Sequence, residues 1–419
     1  MEPVTHVLTG ACLARCGLNR RAAYTTLAMA VAAELPDIDT LWSLRGPVEG
    51  LQHHRGITHT FLGLPFEAAF VLALVYILHR WRLSHARKRH SQRAVSAPSA
   101  DDHVPIDRPL TAAPVRWGVL YGFCILALLS HLLLDYTNNY GLRPFFPFNS
   151  HWYAASIVFI FDPLIFALLV LGLIAPVIFR LISAEVGARR RSFAARGWSA
   201  AALLLVAALC GIRWIEHGRA TQLAMSQSLE APLPPDSQTS SQAGNIDTDS
   251  SPQPPSEQQP PTTVIPVYLS AQRALANPDI FSIFRWYTVT DFGPLYQLER
   301  ADTSQQTIVA TEGTYAKPDR SAATLDAEAS PLGKVFLDWS PMPIITVDSS
   351  VGAVEQAVSG SDVPPPPGGS VVTLRDPRFM GVPLLHTEGR PTPLTGTVVL
   401  DRENHVVLQA LDGRVEPTR

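Results

Sequence analysis

Four long apolar segments restrict what the first half of this chain can fold into. They cover residues 60–79, 116–135, 155–181 and 198–216, and each is close to the roughly 20 residues that a helix needs to cross a bilayer. Two shorter apolar stretches, 4–17 and 22–36, precede them and are joined by the sequence LNRRAA. We predict that the long segments span a membrane. The short stretches should form a hairpin inserted part-way or pack as short helices against the others.

Basic residues alternate between the connecting loops and predict which way the helices run. Arginine and lysine are concentrated around residue 20 and in the loops 80–116 and 180–197, whereas the loops 43–59 and 138–153 hold only Arg45, Arg55 and Arg143. Loops rich in lysine and arginine usually remain in the cytoplasm. We therefore expect the loops 43–59 and 138–153, together with the second half of the chain, to face outward.

The second half differs from the first in composition. Residues 218–263 contain no aromatic residue and many prolines, serines and glutamines, which indicates a flexible linker. Residues 264–419 contain short β-branched or aromatic runs such as FRWYTVTDF, KVFLDWS and SVVTLRD, separated by turn residues. The predicted fold class is a multi-pass α-helical membrane domain (1–217), a disordered Pro/Ser-rich linker (218–263) and a small, mostly-β soluble domain (264–419). In this last domain, Asp376 and Arg378 are predicted to form a structural salt bridge.

Two features exclude other classes of protein. All four cysteines lie in the first half, in apolar surroundings, which excludes a disulfide-stapled module for the second half. The net charge of −3 argues neither for nor against a nucleic-acid partner, but the sequence shows no basic face interleaved with aromatics. We therefore predict no nucleic-acid partner.

The polar residues of the first half fall at the outer ends of the apolar segments. His131 and Asp135 are spaced i, i+4, so both project from one helix face. Intramembrane charges usually face a protein interior and mark function, and mixed histidine and carboxylate ligands suit Zn²⁺, with Mn²⁺ or Fe²⁺ as alternatives. The candidate metal ligands are His6, Asp37, Asp39, His54, His59, His131 and Asp135. Around them we expect His53, Asp162 and Glu34, with Asp162 about two turns inside the helix that it belongs to.

Each of these residues also has a structural interpretation. A histidine in an outer loop is often simply solvated, and the sequence PDID at 36–39 can be a helix stop with a turn-capping aspartate. His131 and Asp135 can be a buried polar pair between helices. Asp162, directly before Pro163, can cap a helix. The coincidence of all these residues at one membrane level favours a metal site.

The motifs that carry these residues resemble a known family. An N-terminal THxxxG, then PDID, HRGITHT, HLLLDYTNNYG and FDP occur in order over residues 1–217. They are similar to the bacterial membrane-bound metal-dependent hydrolases, and the similarity continues more loosely through NPDIFSIFRWYTV and TLRDPRF. The resemblance implies a location in the bacterial inner membrane, a metal-dependent hydrolytic activity without a defined substrate, and polar site positions at the seven candidate ligands.

Together, the residues and the resemblance predict a membrane hydrolase whose metal-activated water lies at the outer membrane interface. Asp37 or Asp39 would act as the general base, and Arg55 would clamp a phosphate or stabilise developing negative charge. The expected substrate is a phosphoester or a molecule derived from membrane lipid. The alternative is a non-catalytic membrane protein, either a metal or proton path or a structural polar cluster, that presents its β domain to an unidentified protein partner.

Overall fold

The computed structural model describes residues 1–96, 113–185, 195–230, 268–380 and 392–416. The helices are α1 (Pro3–Arg15), α2 (Thr25–Glu34), α3 (Pro47–His53), α4 (Leu64–Ser96), α5 (Trp117–Thr137), α6 (Pro163–Glu185), α7 (Ala195–Met225), α8 (Ala322–Ala329), α9 (Pro331–Trp339) and α10 (Val351–Val358). The strands are β1 (Ser228–Glu230), β2 (Tyr268–Ser270), β3 (Arg273–Pro278), β4 (Arg285–Asp291), β5 (Leu295–Asp302), β6 (Thr307–Ala316), β7 (Ile344–Asp348), β8 (Ser370–Arg375), β9 (Gly396–Leu400), β10 (Val406–Leu411) and β11 (Arg414–Val415). A helical first half followed by antiparallel sheets confirms the predicted fold class.

The two short apolar stretches form the antiparallel hairpin α1–α2, which the longer helices surround. α1 packs on α5, α6 and α7, and α2 packs on α5. The two hairpin helices approach closely at Gly10, where an added Cβ would collide with the Met29 carbonyl and lie 2.8 Å from the Ala33 Cβ. The missing side chain at Gly10 therefore sets the spacing of the hairpin.

Three helices in the described part of the chain are long and apolar enough to cross a membrane. They are Leu64–Ala86, Trp117–Thr137 and Arg196–Met225, and Pro163–Phe179 is a shorter apolar stretch. The predicted segment 155–181 becomes helical only at Pro163. Asp162 therefore does not lie two turns inside a helix. Its carboxylate accepts the backbone N–H groups of Leu164 and Ile165 and caps α6. The helix begins at the next residue, Pro163, because proline is favoured at the first helical position.

Helix α7 is longer than the membrane requires and carries part of the second half. Its 31 residues measure about 46 Å, against a hydrocarbon core of about 30 Å. Near its C-terminus, Ala220 packs with Ala276, Trp286 and Ala301 of the sheet β3–β4–β5–β6. Residues 218–225, which the sequence assigned to the linker, are thus helical, and 228–230 form β1; the rest of the predicted linker, 231–263, lies outside the described residues.

The second half contains two larger antiparallel sheets, with helices that the sequence did not indicate. The sheets have the orders β3–β4–β5–β6 and β11–β10–β9–β8–β7. The run KVFLDWS, which was expected to be a strand, belongs to α9. The Ser330 side chain accepts the Gly333 N–H at the start of α9, and Leu332, Phe336 and Trp339 recur at helical spacing and are buried.

The second half docks on the loops 43–59 and 138–153 of the first. A shared apolar cluster joins Val48, Leu51 and Tyr140 to Phe336 and Trp339 of α9. The backbone N–H of Val48 donates to Glu416 at 2.8 Å. The loops that carry the candidate ligands are therefore held between the membrane helices and the β-rich half.

Candidate metal centre

Four of the seven candidate ligands converge on one point. Asp37, His59, His131 and Asp135 each contribute one ligand atom, and these atoms all lie within 4.8 Å of one another. The Nε2 atoms of His59 and His131 are 3.1 Å apart. His59 Nε2 lies 3.3 Å from both Asp37 Oδ1 and Asp135 Oδ2, and the latter oxygen is 3.4 Å from His131 Nε2.

The other ring nitrogen of each histidine is already engaged, which determines what its Nε2 presents. His131 Nδ1 lies 2.7 Å from the carbonyl oxygen of Ala33, so it must donate a proton there. His59 Nδ1 lies 3.2 Å from Asp39 Oδ2. A neutral histidine that donates from Nδ1 carries a lone pair on Nε2. Two such lone pairs and two carboxylate oxygens then face one another, a donor set that fits a divalent cation.

Asp39 lies behind His59 and collects hydrogen bonds. Its Oδ2 also accepts the backbone N–H of Arg55 at 2.7 Å and the Thr58 hydroxyl at 3.2 Å, and its Oδ1 lies 3.2 Å from His54 Nδ1. Burial opposes ionisation of Asp39, but the hydrogen bonds with His54 and His59 outweigh it and hold its pKa well below the usual value. Asp39 is therefore a charged group that orients the His59 ring.

His59 is fully buried among three carboxylates, those of Asp37, Asp39 and Asp135. Burial alone would lower its pKa, yet hydrogen bonds with Asp135, Asp37 and Asp39 raise that pKa to about 10. Burial opposes ionisation of Asp37 as well, but its hydrogen bond with His59 and the nearby His131 hold its pKa below the ordinary value. The cluster thus demands positive charge at the point where the four ligand atoms meet.

Arg55 is buried and fixed by protein acceptors. Its guanidinium donates to Asp135 Oδ1 at 3.0 Å, to the Asn138 side-chain oxygen at 3.1 Å and to the Gly141 carbonyl. Its backbone has a left-handed φ of 51°, and the ring of Tyr140 lies 4.8 Å from the guanidinium carbon. Arg55 is placed to hold Asp135 rather than to reach out to a phosphate.

Two further histidines predicted from the sequence, His6 and His53, lie outside the group of four convergent ligands. His6 is buried, stacks on His131 with 3.8 Å between ring centroids, and has its Nε2 3.4 Å from Asp135 Oδ1, an oxygen that the Met1 amino group also contacts. His53 lies 3.4 Å from Glu49, outside the group, and stacks on Trp42.

Two acidic residues predicted to surround the ligands have different positions. Glu34 ends α2, with a buried Oε2 that has no hydrogen-bond partner. Asp162 pairs with Arg213 of α7, and both side chains are fully buried. Asp162 therefore caps a helix and neutralises an arginine in place of contacting the ligands.

Sequence reasoning missed several groups that hold the ligands in place. The side-chain oxygen of Asn138 accepts the backbone N–H groups of Tyr140 and Gly141 as well as Arg55. The Ala33 carbonyl and the Thr58 hydroxyl contact the site histidines. The repeated asparagines in TNNYG were the available signal for Asn138, because asparagine often hydrogen-bonds the backbone two residues ahead. A backbone carbonyl such as that of Ala33 leaves no sequence signal.

The fold and the site define a class: a multi-pass membrane protein with a buried histidine and aspartate cluster at one end of its helices. The chain belongs to the YdjM inner membrane protein family, whose model matches residues 1–220. This family and the three apolar helices support the predicted membrane location, whereas the hydrolytic activity implied by the resemblance stays a prediction.

Similarity to individual proteins covers a smaller part of the chain. A Bacillus subtilis (strain 168) protein, described as uncharacterized protein YfhP, is 25% identical over 174 residues. The match covers 40% of this chain and 43% of that relative, so it spans less than half of either protein. No solved structure matches.

Proposed function

We propose that this protein is a metal-dependent hydrolase of the inner membrane that acts on a phosphoester or lipid-derived substrate at the outer membrane interface. The observation that carries the proposal is the convergence of two Nε2 atoms and two carboxylate oxygens within 4.8 Å, with Nδ1 acceptors behind both histidines. A divalent cation held there by Asp37, His59, His131 and Asp135 would supply a bound water with a pKa lowered to about 7. Zn²⁺ suits this donor set best, with Mn²⁺ or Fe²⁺ as alternatives.

The chain's own residues then have separate roles. Asp37 retains partial exposure, with 9% of its side chain accessible, whereas the other three members of the group are fully buried. It is the member best placed to accept a proton from an incoming water. Asp39 has both oxygens engaged by hydrogen-bond donors, so it orients His59, and Arg55 stabilises the charge of Asp135.

A groove beside the site favours a substrate with an acyl chain. Its volume is about 370 Å³, within the range of small-molecule sites, and almost all of its lining is apolar. Leu132 and Tyr136, which line it, directly follow His131 and Asp135 along α5. Leu133, in the same wall, is 62% exposed on a helix suited to cross the membrane. A chain entering from the bilayer would lie against the side of α5 that adjoins the side carrying His131 and Asp135.

The orientation belongs to the same proposal. The basic loops of the sequence would stay in the cytoplasm, so the metal centre and the β-rich half would face the periplasm or the cell exterior. Single cysteines introduced at exposed positions such as Gln52, and labelled in intact cells by a membrane-impermeant maleimide, test this directly. Protection of Gln52→Cys until the cells are lysed would contradict the orientation.

A transport path is less well supported than a hydrolytic site. Below His131, the buried face of α5 consists of Leu128, Ala127, Cys124 and Leu120. Ion or proton pathways need polar groups at successive depths of the membrane. This face presents one cysteine and otherwise only hydrocarbon.

Elemental analysis of the detergent-purified full chain is the first test. The double variant His59→Ala/His131→Ala is compared with the parent and with His53→Ala/His405→Ala, which removes two histidines outside the group. We expect stoichiometric Zn, Mn or Fe in the parent and in the control pair, and its loss from the site variant with membrane insertion intact. Absence of metal from the parent after reconstitution would refute the metal centre.

Activity is tested separately with matched substrates. The metal-loaded parent is assayed on a long-chain phosphoester lipid in mixed micelles and on a water-soluble phosphoester with the same headgroup. We expect hydrolysis of the lipid by the parent and none by Asp37→Asn. Equal turnover of both substrates would support the hydrolase and contradict the role of the groove.

A further inference from the structure

The β-rich half reaches the metal centre through one short turn of the first half. Residues Asn138–Gly141 follow α5 directly and form this turn, here called the TNNYG turn. On its inner side, the Asn138 side chain and the Gly141 carbonyl accept the guanidinium of Arg55, which in turn holds Asp135. The position of this turn therefore determines where Arg55 can place its charge.

Two residues of the β-rich half contact the outer side of the same turn. The indole N–H of Trp339 donates to the Tyr140 carbonyl at 3.1 Å, and the two rings pack with centroids 4.8 Å apart. Arg378 donates to the Asn139 carbonyl at 2.8 Å. Both side chains are at least nine-tenths buried, so these bonds are shielded from competing water.

Arg378 is itself rigidly held. Its Nε and one terminal nitrogen donate to the two carboxylate oxygens of Asp376 at 2.9 and 2.7 Å, and its guanidinium carbon lies 4.6 Å from the Trp339 ring centroid. This leaves the other terminal nitrogen for Asn139. Lysine could keep the ion pair with Asp376 but could not hold both partners in this planar geometry. The pair predicted as structural thus also joins the two halves.

We propose that Trp339 and Arg378 are positioning residues for the metal centre, acting through the TNNYG turn and Arg55 on Asp135. The β-rich half is then a fixed part of the site, although the family model ends at residue 220. The expected effect of these residues on metal affinity rests on the proposed function. Their effect on the order of the TNNYG turn does not depend on it, so metal affinity and turn order can be tested separately.

The test uses the full chain in detergent and three variants. Arg378→Lys removes the bond to Asn139, and Trp339→Phe removes the bond to Tyr140 while keeping an aromatic ring. Arg375→Lys is the matched control, because Arg375 lies three residues from Arg378, on β8, and its guanidinium donates to Thr346 of the neighbouring strand β7. Hydrogen exchange by mass spectrometry and Zn²⁺ affinity by chelator competition are measured on each.

We expect amides 138–142 to exchange about three- to tenfold faster in Arg378→Lys and Trp339→Phe, with no change in β3–β6. The Kd for Zn²⁺ should rise about tenfold, as for the loss of outer-shell support of a ligand. The control should match the parent in both measurements.

The outcomes separate the inference from the proposed function. Unchanged exchange at 138–142 in both variants, or a Zn²⁺ Kd equal to the control's, would overturn the inference. If Arg378→Lys loosens the whole β-rich half, Trp339→Phe decides alone. A parent that binds none of Zn²⁺, Mn²⁺ and Fe²⁺ would refute the proposed function, and the exchange data would still decide whether these residues order the turn.

Discussion

Replacement of Asp39 by asparagine is the sharpest test of how the metal centre is organised. The side chain is 4% exposed and supports the site through His59 without belonging to the four convergent ligands. Asparagine has the same shape, so its oxygen can still accept the Arg55 N–H. Its amide can face His54, whose ring can change tautomer to accept a hydrogen bond. The fold should therefore survive while the negative charge behind His59 is lost.

The expected loss of metal affinity in Asp39→Asn follows from the position of the Asp39 carboxylate. Asp39 Oδ2 is 3.2 Å from His59 Nδ1, the arrangement in which a carboxylate fixes the ring and raises the basicity of the opposite nitrogen. Loss of such a partner lowers metal affinity about 10- to 100-fold, which corresponds to about 1.4–2.7 kcal/mol of binding free energy. Loss of a direct ligand, as in His59→Ala, should be larger.

The assay is Zn²⁺ competition with a chromophoric chelator at fixed pH on the detergent-purified chain. Asp401→Asn is the control, since Asp401 Oδ2 also lies 3.2 Å from a histidine Nδ1, that of His405, at the exposed surface. Its affinity should equal that of the parent. An Asp39→Asn variant that is folded and binds Zn²⁺ as tightly as the parent would refute the claim that Asp39 orients a metal ligand.

Three further changes test the fold, and metal removal tests its link to the site. Asp162→Asn leaves Arg213 buried without its ion pair and should destabilise the membrane domain by about 3–5 kcal/mol, less in a double variant with Arg213→Met, as measured by unfolding in detergent. Gly10→Val should separate α1 from α2 and lower the melting temperature, because its side chain would meet the Met29 carbonyl. Burial raises the pKa of Glu299 from 4.5 to about 7. The folded state therefore keeps a proton that the unfolded chain loses, and unfolding free energy should fall by up to about 3 kcal/mol as pH rises through this window; Glu299→Gln should abolish that slope. Chelation of the metal should lower the melting temperature of the parent and leave His59→Ala/His131→Ala unchanged.

The sequence located the site but could not select its ligands. Apolar segments fix the depth of the residues at their ends, so His131 and Asp135 were predictably at the same level as the loop histidines. Selection between Asp37 and Asp39 depends on a 3₁₀ helix, Leu35–Leu44. With three residues per turn, the side chains at positions i and i+2 point about 120° apart. Asp37 consequently faces His131 and Asp39 lies behind His59, a distinction that a strand reading of PDID would not give, since a strand places i and i+2 on one face.

Docking between the two halves was beyond sequence reasoning for a different reason. Trp339 lies about 200 residues from Tyr140 along the chain, and the run containing it was expected to be a strand because its aromatic and β-branched residues favour one. A serine cap and Pro331 start a helix instead. Periodicity shows that a face is apolar, but it does not show which other face covers it.

Charge balance gives a physical reason for a cation in this cluster. Three buried or nearly buried carboxylates, of Asp37, Asp39 and Asp135, are matched by one guanidinium, that of Arg55, and by the Met1 amino group, whose pKa is lowered by burial. Among the side chains alone, two negative charges are left to compensate, and an uncompensated buried charge is strongly unfavourable. Protonation of His59 supplies one positive charge, in agreement with its raised pKa, whereas a divalent cation supplies both and leaves His59 and His131 neutral, as metal ligands must be. The arrangement that satisfies the electrostatics of the cluster is thus the same one that presents four lone pairs to a metal.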